Sequence, residues 1–589
     1  MGCIEEINFI IKNRLYKRKL LFFTLIIFGL VLIFSSGIDC VAATTGDTVY
    51  VNDQSGNDSW NGLSSTYISG VTGPKHSIKN ATGTIGVNGT VRIANGIYTE
   101  IKNDELVISN NMTLIGQSRN GTIIKYHFIQ SINDGCSVTI TNLTITGAIY
   151  GDGGAIRKNG GDLTLNNVTF TDNKAVETGG AISNTKGNLW VNNCIFTGNY
   201  GGQLGPGGIG NWGNLTVYNS SFTGNDGAIN NYGNASIMGS TFTANTASTL
   251  GTINNFGNLT INYSRIYGNI GGKSVFNDIY DYPLAYADLM YNWWGTNNGP
   301  RSEVEGVMLT EWLMLTISVN PATIPTIGHS TVTADLLHDN YGNLVTGTFP
   351  DGNTIKFLTN LGKITSTSPM INMVSVSNFN STLTGTANIN ATMDAQTVST
   401  TVKVVTLTAK ANVASGLYNV NKVVTLSMTE AGNIYYTLNG TTPTTASTRY
   451  TGPITISSSK ILKLIAVDGS GYKSPIYTYT YTIDKTPPKV SVTTPANLKT
   501  GVARTSNVVI KFSEVFKSST YFKNISVKNA STGKYLALSK LISGNTLTIR
   551  TSSKTANTWY IVTIPKAAIK DNAGNNLAAN YTFKFKTGN

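Results

Sequence analysis

Hydrolysis of a glycosidic bond calls for two carboxylates about 5 to 9.5 Å apart, one acting as acid and the other as base or nucleophile. The candidates that the repeating segment offers for such a pair are Asp152, Asp162, Asp172, Glu177 and Asp226. They do not recur at the interval at which the surrounding sequence repeats, so no acidic column forms, and only Asp172 falls beside a repeating position. An eliminative lyase needs clustered calcium carboxylates near a Lys or Arg base. Arg157 and Lys174 stand apart from any such group. The histidines, His76, His127, His329 and His338, lie in separate stretches and give no metal-ligand spacing. The turn Asp53-Gln-Ser-Gly-Asn57-Asp58 could hold calcium, although it lacks a following bidentate Glu. Serine is plentiful but has no nucleophile-elbow context. No catalytic, metal-binding or cofactor-binding residue is therefore assigned, ligand-binding residues stay unknown, and calcium is the one cofactor left open. The expectation is a protein that is not an enzyme, with a polysaccharide lyase or hydrolase as the remaining catalytic alternative.

The elements around these residues are built from a β-rich composition. Only 12% of the 589 residues are charged and 40% are hydrophobic, with 61 glycines, which excludes both a disordered chain and a long-helix protein. Residues 1–43 read as a targeting segment: Lys12, Arg14, Lys17, Arg18 and Lys19, then an uncharged apolar run from Leu20, then Val41-Ala42-Ala43. It is either a cleaved signal peptide or an uncleaved anchor, because the run reaches the roughly 20 residues of a membrane span. Two of the four cysteines, Cys3 and Cys40, lie in that segment. Cys136 and Cys194 occupy different positions of the repeat, about two coils or roughly 10 Å apart at the 4.8 Å strand spacing, so two buried free thiols are expected.

Between residues 136 and 280 a unit recurs, as in Gly161-Asp-Leu-Thr-Leu-Asn-Asn-Val-Thr-Phe170, Gly187-Asn-Leu-Trp-Val-Asn-Asn-Cys-Ile-Phe196 and Gly213-Asn-Leu-Thr-Val-Tyr-Asn-Ser-Ser-Phe222. Each unit alternates apolar and polar, so one short strand buries one face and wets the other, and no unit can fold alone. Stacking the units predicts a solenoid with interior rows Leu163, Leu189, Leu215, Ala235, Leu259 and Phe170, Phe196, Phe222, Phe242, Ile266. Asn173, Asn199, Asn225, Asn245 and Asn269 follow each large apolar residue by three and are expected to bond up and down as a structural amide column. The other strand of each coil opens on Gly-Gly-Ala-Ile or a variant, starting at Gly153, Gly179, Gly207, Gly227 and Gly251. Trp212, Tyr232 and Phe256 form a candidate aromatic column at a further corner. Exposed, that column would be a sugar-stacking platform; packed against the flank, it is scaffold, which is the expected role.

The pairing of Phe196-Thr-Gly-Asn199 and Phe222-Thr-Gly-Asn225 with Gly-Gly-Ala-Ile resembles polymorphic outer-membrane-protein repeats and the adhesin-like β-helix proteins of methanogenic archaea. Val49 to Gly62, with Gly96-Ile-Tyr-Thr-Glu100, resembles the opening coils of pectate-lyase-like β-helices, and Asn292-Trp-Trp-Gly-Thr-Asn-Asn-Gly-Pro300 resembles the segment that closes such helices. The resemblance implies a right-handed parallel β-helix over 44–310, whereas the repeat alone implies only a solenoid. Beyond it the strands become rich in Thr, Val and Ile at regular spacing, the pattern of β-sandwiches. Residues 315–406 resemble an invasin-type immunoglobulin-like (Ig-like) domain through Ser330 to Leu336 and Thr354 to Ile364. Residues 407–484 resemble the chitobiase/hexosaminidase C-terminal domain through Ile434 to Pro443, Tyr450 to Ile456 and Leu464 to Asp468. Residues 485–589 resemble the Ig-like modules of S-layer proteins through Thr486-Pro-Pro-Lys489, Ile510 to Glu514 and Asp571-Asn-Ala-Gly-Asn575. The fold class expected is all-β: the β-helix, then three sandwiches that the resemblance makes stalks and wall or carbohydrate contacts.

Charge is segregated. Residues 485–589 carry 14 Lys and 2 Arg against Glu514 and Asp571, a net of +14, whereas residues 44–484 are nearly balanced at −3. Such a field favours a polyanionic polymer and, being Lys-based, loose Coulombic attachment over bidentate recognition. The expected partners are cell-surface or wall polysaccharide, met along coil faces and loops such as Asn199 to Gly208, with no specific nucleic acid and a membrane only through an uncleaved amino-terminal segment. An extracellular or cell-surface location follows, with retention by that segment or by noncovalent docking. The expected function is an adhesin-like surface protein; the alternative is a cell-wall or S-layer structural component. Sequons at Asn142, Asn167, Asn214, Asn258 and Asn439 suit an exported chain.

Overall fold

A computed structural model describes residues 48–99, 106–202, 205–469 and 471–589. The expected targeting segment, residues 1–43, lies outside the described residues. From Thr48 onward the regular secondary structure is almost entirely strand, in two architectures that meet near residue 310.

The first is a parallel β-solenoid. Three sheets of ten, nine and eight parallel strands run along it, each strand pairing with its counterpart in the coils before and after. Nine inter-strand steps at the ~4.8 Å sheet spacing give a rod of about 43 Å. The registers are those the repeat demands: Leu163 faces Leu189, which faces Leu215, then Ala235 and Leu259. Phe170, Phe196, Phe222 and Phe242 form the second row, their rings stacked at 4.8, 4.5 and 4.9 Å and fully buried. Each such ring contributes about 1.5–3 kcal/mol of burial. A single apolar core runs from Val49 to Trp294. At its amino-terminal end the helix Ile78–Thr84, capped by Ser77, adds Ile78, Ala81 and Ile85 to that core.

Polar interior positions are satisfied by columns. Asn173, Asn199, Asn225 and Asn245 each donate Nδ2 to Oδ1 of the asparagine in the following coil at 2.8–3.0 Å. Each Oδ1 from Asn199 onward also accepts the backbone N–H of the preceding coil's asparagine, at 3.1 Å. Asn199, Asn225 and Asn245 donate as well to the carbonyl of the phenylalanine one coil earlier. The motif Phe-Thr-Gly-Asn follows from this geometry: Gly198 and Gly224 take left-handed φ values of 63° and 67°, turning the chain so that the asparagine points inward. A second buried amide column, Asn184, Asn211, Asn231, Asn255 and Asn277, runs at 2.6–2.8 Å per step. Cys194 occupies the row of Ser220, Ser240 and Ser264, whose hydroxyls accept the N–H of the preceding coil at 3.0–3.1 Å. Cys136 and Cys194 are both buried and neither is in a disulfide, and burial pushes the Cys194 thiol up to about 12, which leaves it unreactive.

The second architecture is three mainly antiparallel sandwich modules with separate cores. The first packs a four-stranded sheet containing Leu313–Asn320 and His329–Asp339 on a five-stranded sheet containing Gly385–Met393 and Gln396–Val405. The second is built on the sheet of Gly432–Thr437, Lys460–Asp468 and Tyr477–Ile483. The third sets the sheet of Val508–Phe512 and Thr546–Thr551 against that of Trp559–Ile564 and Tyr581–Lys586. Their cores centre on Phe357 and Phe379, on Leu462 and Leu464, and on Phe512 and Phe585.

Candidate functional site

On the solenoid, Asp152 and Glu177 fall on the paired strands Ile149–Asp152 and Lys174–Thr178 of adjacent coils, with Asp152 opposite Thr178, and among the described residues no group of three ligating side chains converges there. Asp162 accepts from Asn188 N–H and Nδ2 at 3.1 and 2.8 Å. Asp172 sits at a left-handed turn and accepts from Thr171 Oγ1. Asp226 is half-buried, and that desolvation raises its pKa, but no second carboxylate bonds it. The calcium turn divides its carboxylates: Asp53 accepts the N–H of Ile97 at 3.0 Å, while Asp58 accepts those of His76 and Ser77. Burial pushes Asp58 up, but the hydrogen bonds from Ser77 and His76 outweigh it and hold the carboxyl below its ordinary value. Asp58 thus serves the helix start at Ser77. His127 is buried, bonded to Gly154 O at 2.9 Å and stacked on Tyr150. His338 lies 3.6 Å from Asp335, and His329 lies against Tyr472 of the next module.

One buried cation escaped the sequence reading. Lys158 pairs in register with Asn184 and is fully buried. Its ammonium donates to Asn184 Oδ1 at 3.0 Å and to Lys186 O, so it heads the second amide column. Burial brings its pKa down to about 8, against opposing attraction from Asp162 and Asp134. The column's far end, Asn277 Nδ2, donates to Gly306 O at 2.9 Å. The signal was present as Ile-x-Asn at Ile182, Ile209, Ile229 and Ile253, and Ile156-Arg-Lys158 breaks it with the lysine.

The solenoid is fused to the first sandwich module through Asn292–Pro300. Asn292 ends the serine row by accepting Ser264 N–H at 2.9 Å. The two tryptophans then part: Trp294 enters the solenoid core and Trp293 the core of the first module. Asp394 of that module accepts Trp293 Nε1 at 2.7 Å and Arg265 Nε at 3.0 Å, with a second contact to Arg265 Nη2. Asn297 bonds both the N–H and the carbonyl of Leu315. The two units are thus joined by shared side-chain contacts across this segment.

Between the second and third modules a different group forms. Asp484, Glu514 and Asp571 bring carboxylate oxygens within 4.8 Å of one another where the second and third modules meet. Asp571, almost fully buried, accepts from Gly574 N–H, Asn575 N–H and Asn575 Nδ2 at 2.6–2.8 Å, and Asn575 also bonds Asp484 O. Desolvation first, then the charges of Asp571 and Asp484, raise the Glu514 pKa. Three converging hard oxygen ligands are a set that suits a divalent cation such as calcium. The second module also carries an open groove lined by Tyr436, Asn439, Thr441, Lys460 and Tyr481. Of the 16 basic residues in 485–589, 12 are exposed, whereas Lys554 is buried on the carbonyls of Arg504 and Ser506. Among the described residues no helix is long and apolar enough to cross a membrane.

The aromatic column forms as expected, but it is not fully packed away: Trp212, at its end, is 40% exposed, and Tyr232 and Phe256 are partly buried. Trp212, Tyr232 and Phe256 stack at 5.0 and 4.5 Å with planes within 15° of parallel, so the rings cover one another's faces and turn their edges outward.

Comparison with known families matches the second and third modules. The model for the bacterial Ig-like domain matches residues 484–587, and that for the chitobiase/beta-hexosaminidase C-terminal domain matches residues 413–480. Each covers one module. Solved structures similar to part of the chain include the Escherichia coli adhesin FdeC, at 14% identity over 46% of this chain and 96% of that one, with a TM-score of 0.25. The bacterial integrin-binding protein invasin aligns at 14% identity over 48% and 61%, with a TM-score of 0.23. Titin domains I67–I69 align at 10% identity over 48% and 99%, with a TM-score of 0.22. No curated protein matches the chain.

Proposed function

We propose that this chain is a non-catalytic, adhesin-type surface protein in which the β-solenoid meets glycans or neighbouring cell surfaces and the sandwich modules hold it out. The observation that carries the reading is the joint at Trp293 and Trp294: a rod of about 43 Å is joined by shared side-chain contacts to a row of Ig-like modules. That arrangement suits display at a distance. Repetition along the rod supports shallow, polyvalent contact, in which linked weak sites gain avidity without new chemistry. Beads coated with the purified chain should adhere to cells or polysaccharide, and the soluble chain should compete. Release of unsaturated or reducing sugar ends from a polysaccharide panel would instead promote the enzymatic alternative.

A second reading, a wall or S-layer component, is favoured by one observation: the 12 exposed basic side chains of 485–589. They support docking on an anionic polymer. Retention on such a polymer should fall as salt shortens the screening length from about 10 Å at 0.1 M to about 3 Å at 1 M. Retention that does not change with salt excludes that dock.

A further inference from the structure

The aromatic column has a fourth member that does not lie parallel to the rest. Tyr282 meets Tyr232 at 6.2 Å and 69°, and Phe256 at 5.1 Å and 58°. Tyr232 and Phe256 are themselves stacked 4.5 Å apart. A ring close to both members of a stack, and steeply inclined to both, lies across their edges. One face of Tyr282 is thereby backed by the column, and the ring remains 41% exposed. The segment that carries it is fixed: Asp278 Oδ1 accepts the N–H of Tyr280 and of Asp281, both at 3.0 Å, and Ala285 N–H closes a turn onto Tyr282 O at 2.8 Å.

Beside the rings runs a polar track. Two residues beyond Trp212, Tyr232 and Phe256, hence within about 7 Å along the chain, stand Asn214, Asn234 and Asn258, all exposed. Their amides form a row with Asn188: each donates Nδ2 to Oδ1 of the preceding coil's asparagine at 2.9–3.0 Å. Each amide of Asn214 and Asn234 uses one N–H and one lone pair in this row, and keeps one of each for a ligand. The row leads in register to Tyr286, which is 60% exposed.

We propose that the outward face of Tyr282 is a stacking platform for a neutral glycan, whose hydroxyls are met by the amide row Asn214, Asn234 and Asn258. This deepens the adhesin reading and rests on it. A backed, flat aromatic face beside amides with open donors and acceptors is what a sugar ring, apolar on its C–H face and polar at its rim, can use. The charged residues of the 278–288 segment, Asp278, Asp281 and Asp288, are all carboxylates, so the platform disfavours uronate or sulfated chains. It is chemically distinct from the basic field of residues 485–589.

The test uses the whole exported chain and three probes, cellohexaose, chitohexaose and polygalacturonate, with binding read by calorimetry and on immobilised ligand. At least one neutral hexasaccharide should bind with little salt dependence. Tyr282→Ala should weaken that binding at least tenfold, whereas Tyr282→Phe, which keeps the ring face, should stay within about threefold. Asn234→Ala should cost a smaller factor. An unchanged circular dichroism spectrum and unfolding transition exclude misfolding as the cause. Undiminished binding by Tyr282→Ala, or binding of polygalacturonate alone, overturns the platform while leaving the adhesin reading intact. Failure of the chain to bind any neutral probe also overturns it. Failure of coated beads to adhere to any cell or polysaccharide defeats the adhesin reading itself.

Discussion

In the solenoid, Leu189 packs between Leu163 and Leu215 on parallel neighbours, and Asn199 is satisfied only by the coils on either side of its own. In the terminal module, Val508 and Ile510 lie on an antiparallel sheet whose core is closed within residues 502–585. The first design makes every coil depend on its neighbours, and the second makes a module that can fold alone. The difference shows in their surfaces too. The solenoid presents repeated rings and amides with little net charge, while the terminal module presents scattered lysines around a conventional core. Short-range recognition belongs naturally to the one and long-range attraction to the other.

The largest test of this contrast is a single interior amide. Asn225→Leu strips the Asn199 N–H of its acceptor and the Phe196 carbonyl of its amide donor, and takes one hydrogen bond each from the amides of Asn199 and Asn245. At about 1–3 kcal/mol per stranded buried group, the solenoid should lose about 3–6 kcal/mol. Ile510→Ala should cost about 2–5 kcal/mol but move only the terminal module. Denaturant unfolding followed by segment-resolved hydrogen exchange separates the two. Equal local damage around both substitutions would remove the contrast.

Lys158 gives the next effect. Its folded pKa of about 8 lies below the ordinary 10.5, so the unfolded chain binds more protons between these values and solenoid stability should rise as pH climbs from about 8 to 10.5. The rise should amount to about 2–3 kcal/mol. Melting curves across that window should show it in the native chain and lose it in Lys158→Met. Lys158→Asn, which extends the amide column by one member, should melt highest at pH 7.

Asp394→Ala removes the acceptor shared by Arg265 and Trp293. Both domains should stay folded, with a loss of about 1–3 kcal/mol at the joint. Small-angle scattering should show a wider spread of solenoid-to-module angles, while an unchanged profile would mean that the buried tryptophans alone hold the joint. The smallest effect is expected at Glu514, whose raised pKa reports burial and repulsion. Glu514→Gln should modestly raise the terminal transition in chelator. Because the folded carboxyl protonates more readily than the unfolded one, acidification through its titration range should stabilise the native chain there and leave the variant unmoved.

Much of the solenoid was legible because a stacked repeat turns sequence alignment into spatial contact. The rows of Leu163, Phe170 and Asn173 could be read off directly, and the registers agree with them. The second amide column was missed because its first member is Lys158, and because Ile-x-Asn is a sparser motif than Phe-Thr-Gly-Asn. The closing segment at Asn292 was visible, but adjacent tryptophans entering different cores leave no trace in periodicity. Tyr282 lies in a stretch longer than the preceding repeats and aligns with no ring, so its inclined pose depends on the loop alone. Asp484, Glu514 and Asp571 come from three separated stretches that only the sandwich topology and the module boundary bring together.

The most direct measurement is a salt titration of the whole chain on two surfaces, one bearing an anionic wall polymer and the other a neutral glycan that it binds. Retention on the anionic surface should fall steeply as salt rises, and should be lost when the exposed lysines of 485–589 are exchanged for glutamine. Retention on the neutral surface should stay nearly flat and survive that exchange. If both fall together with salt, or both vanish with the lysines, the solenoid has no recognition chemistry of its own and the proposed division between the two regions is wrong.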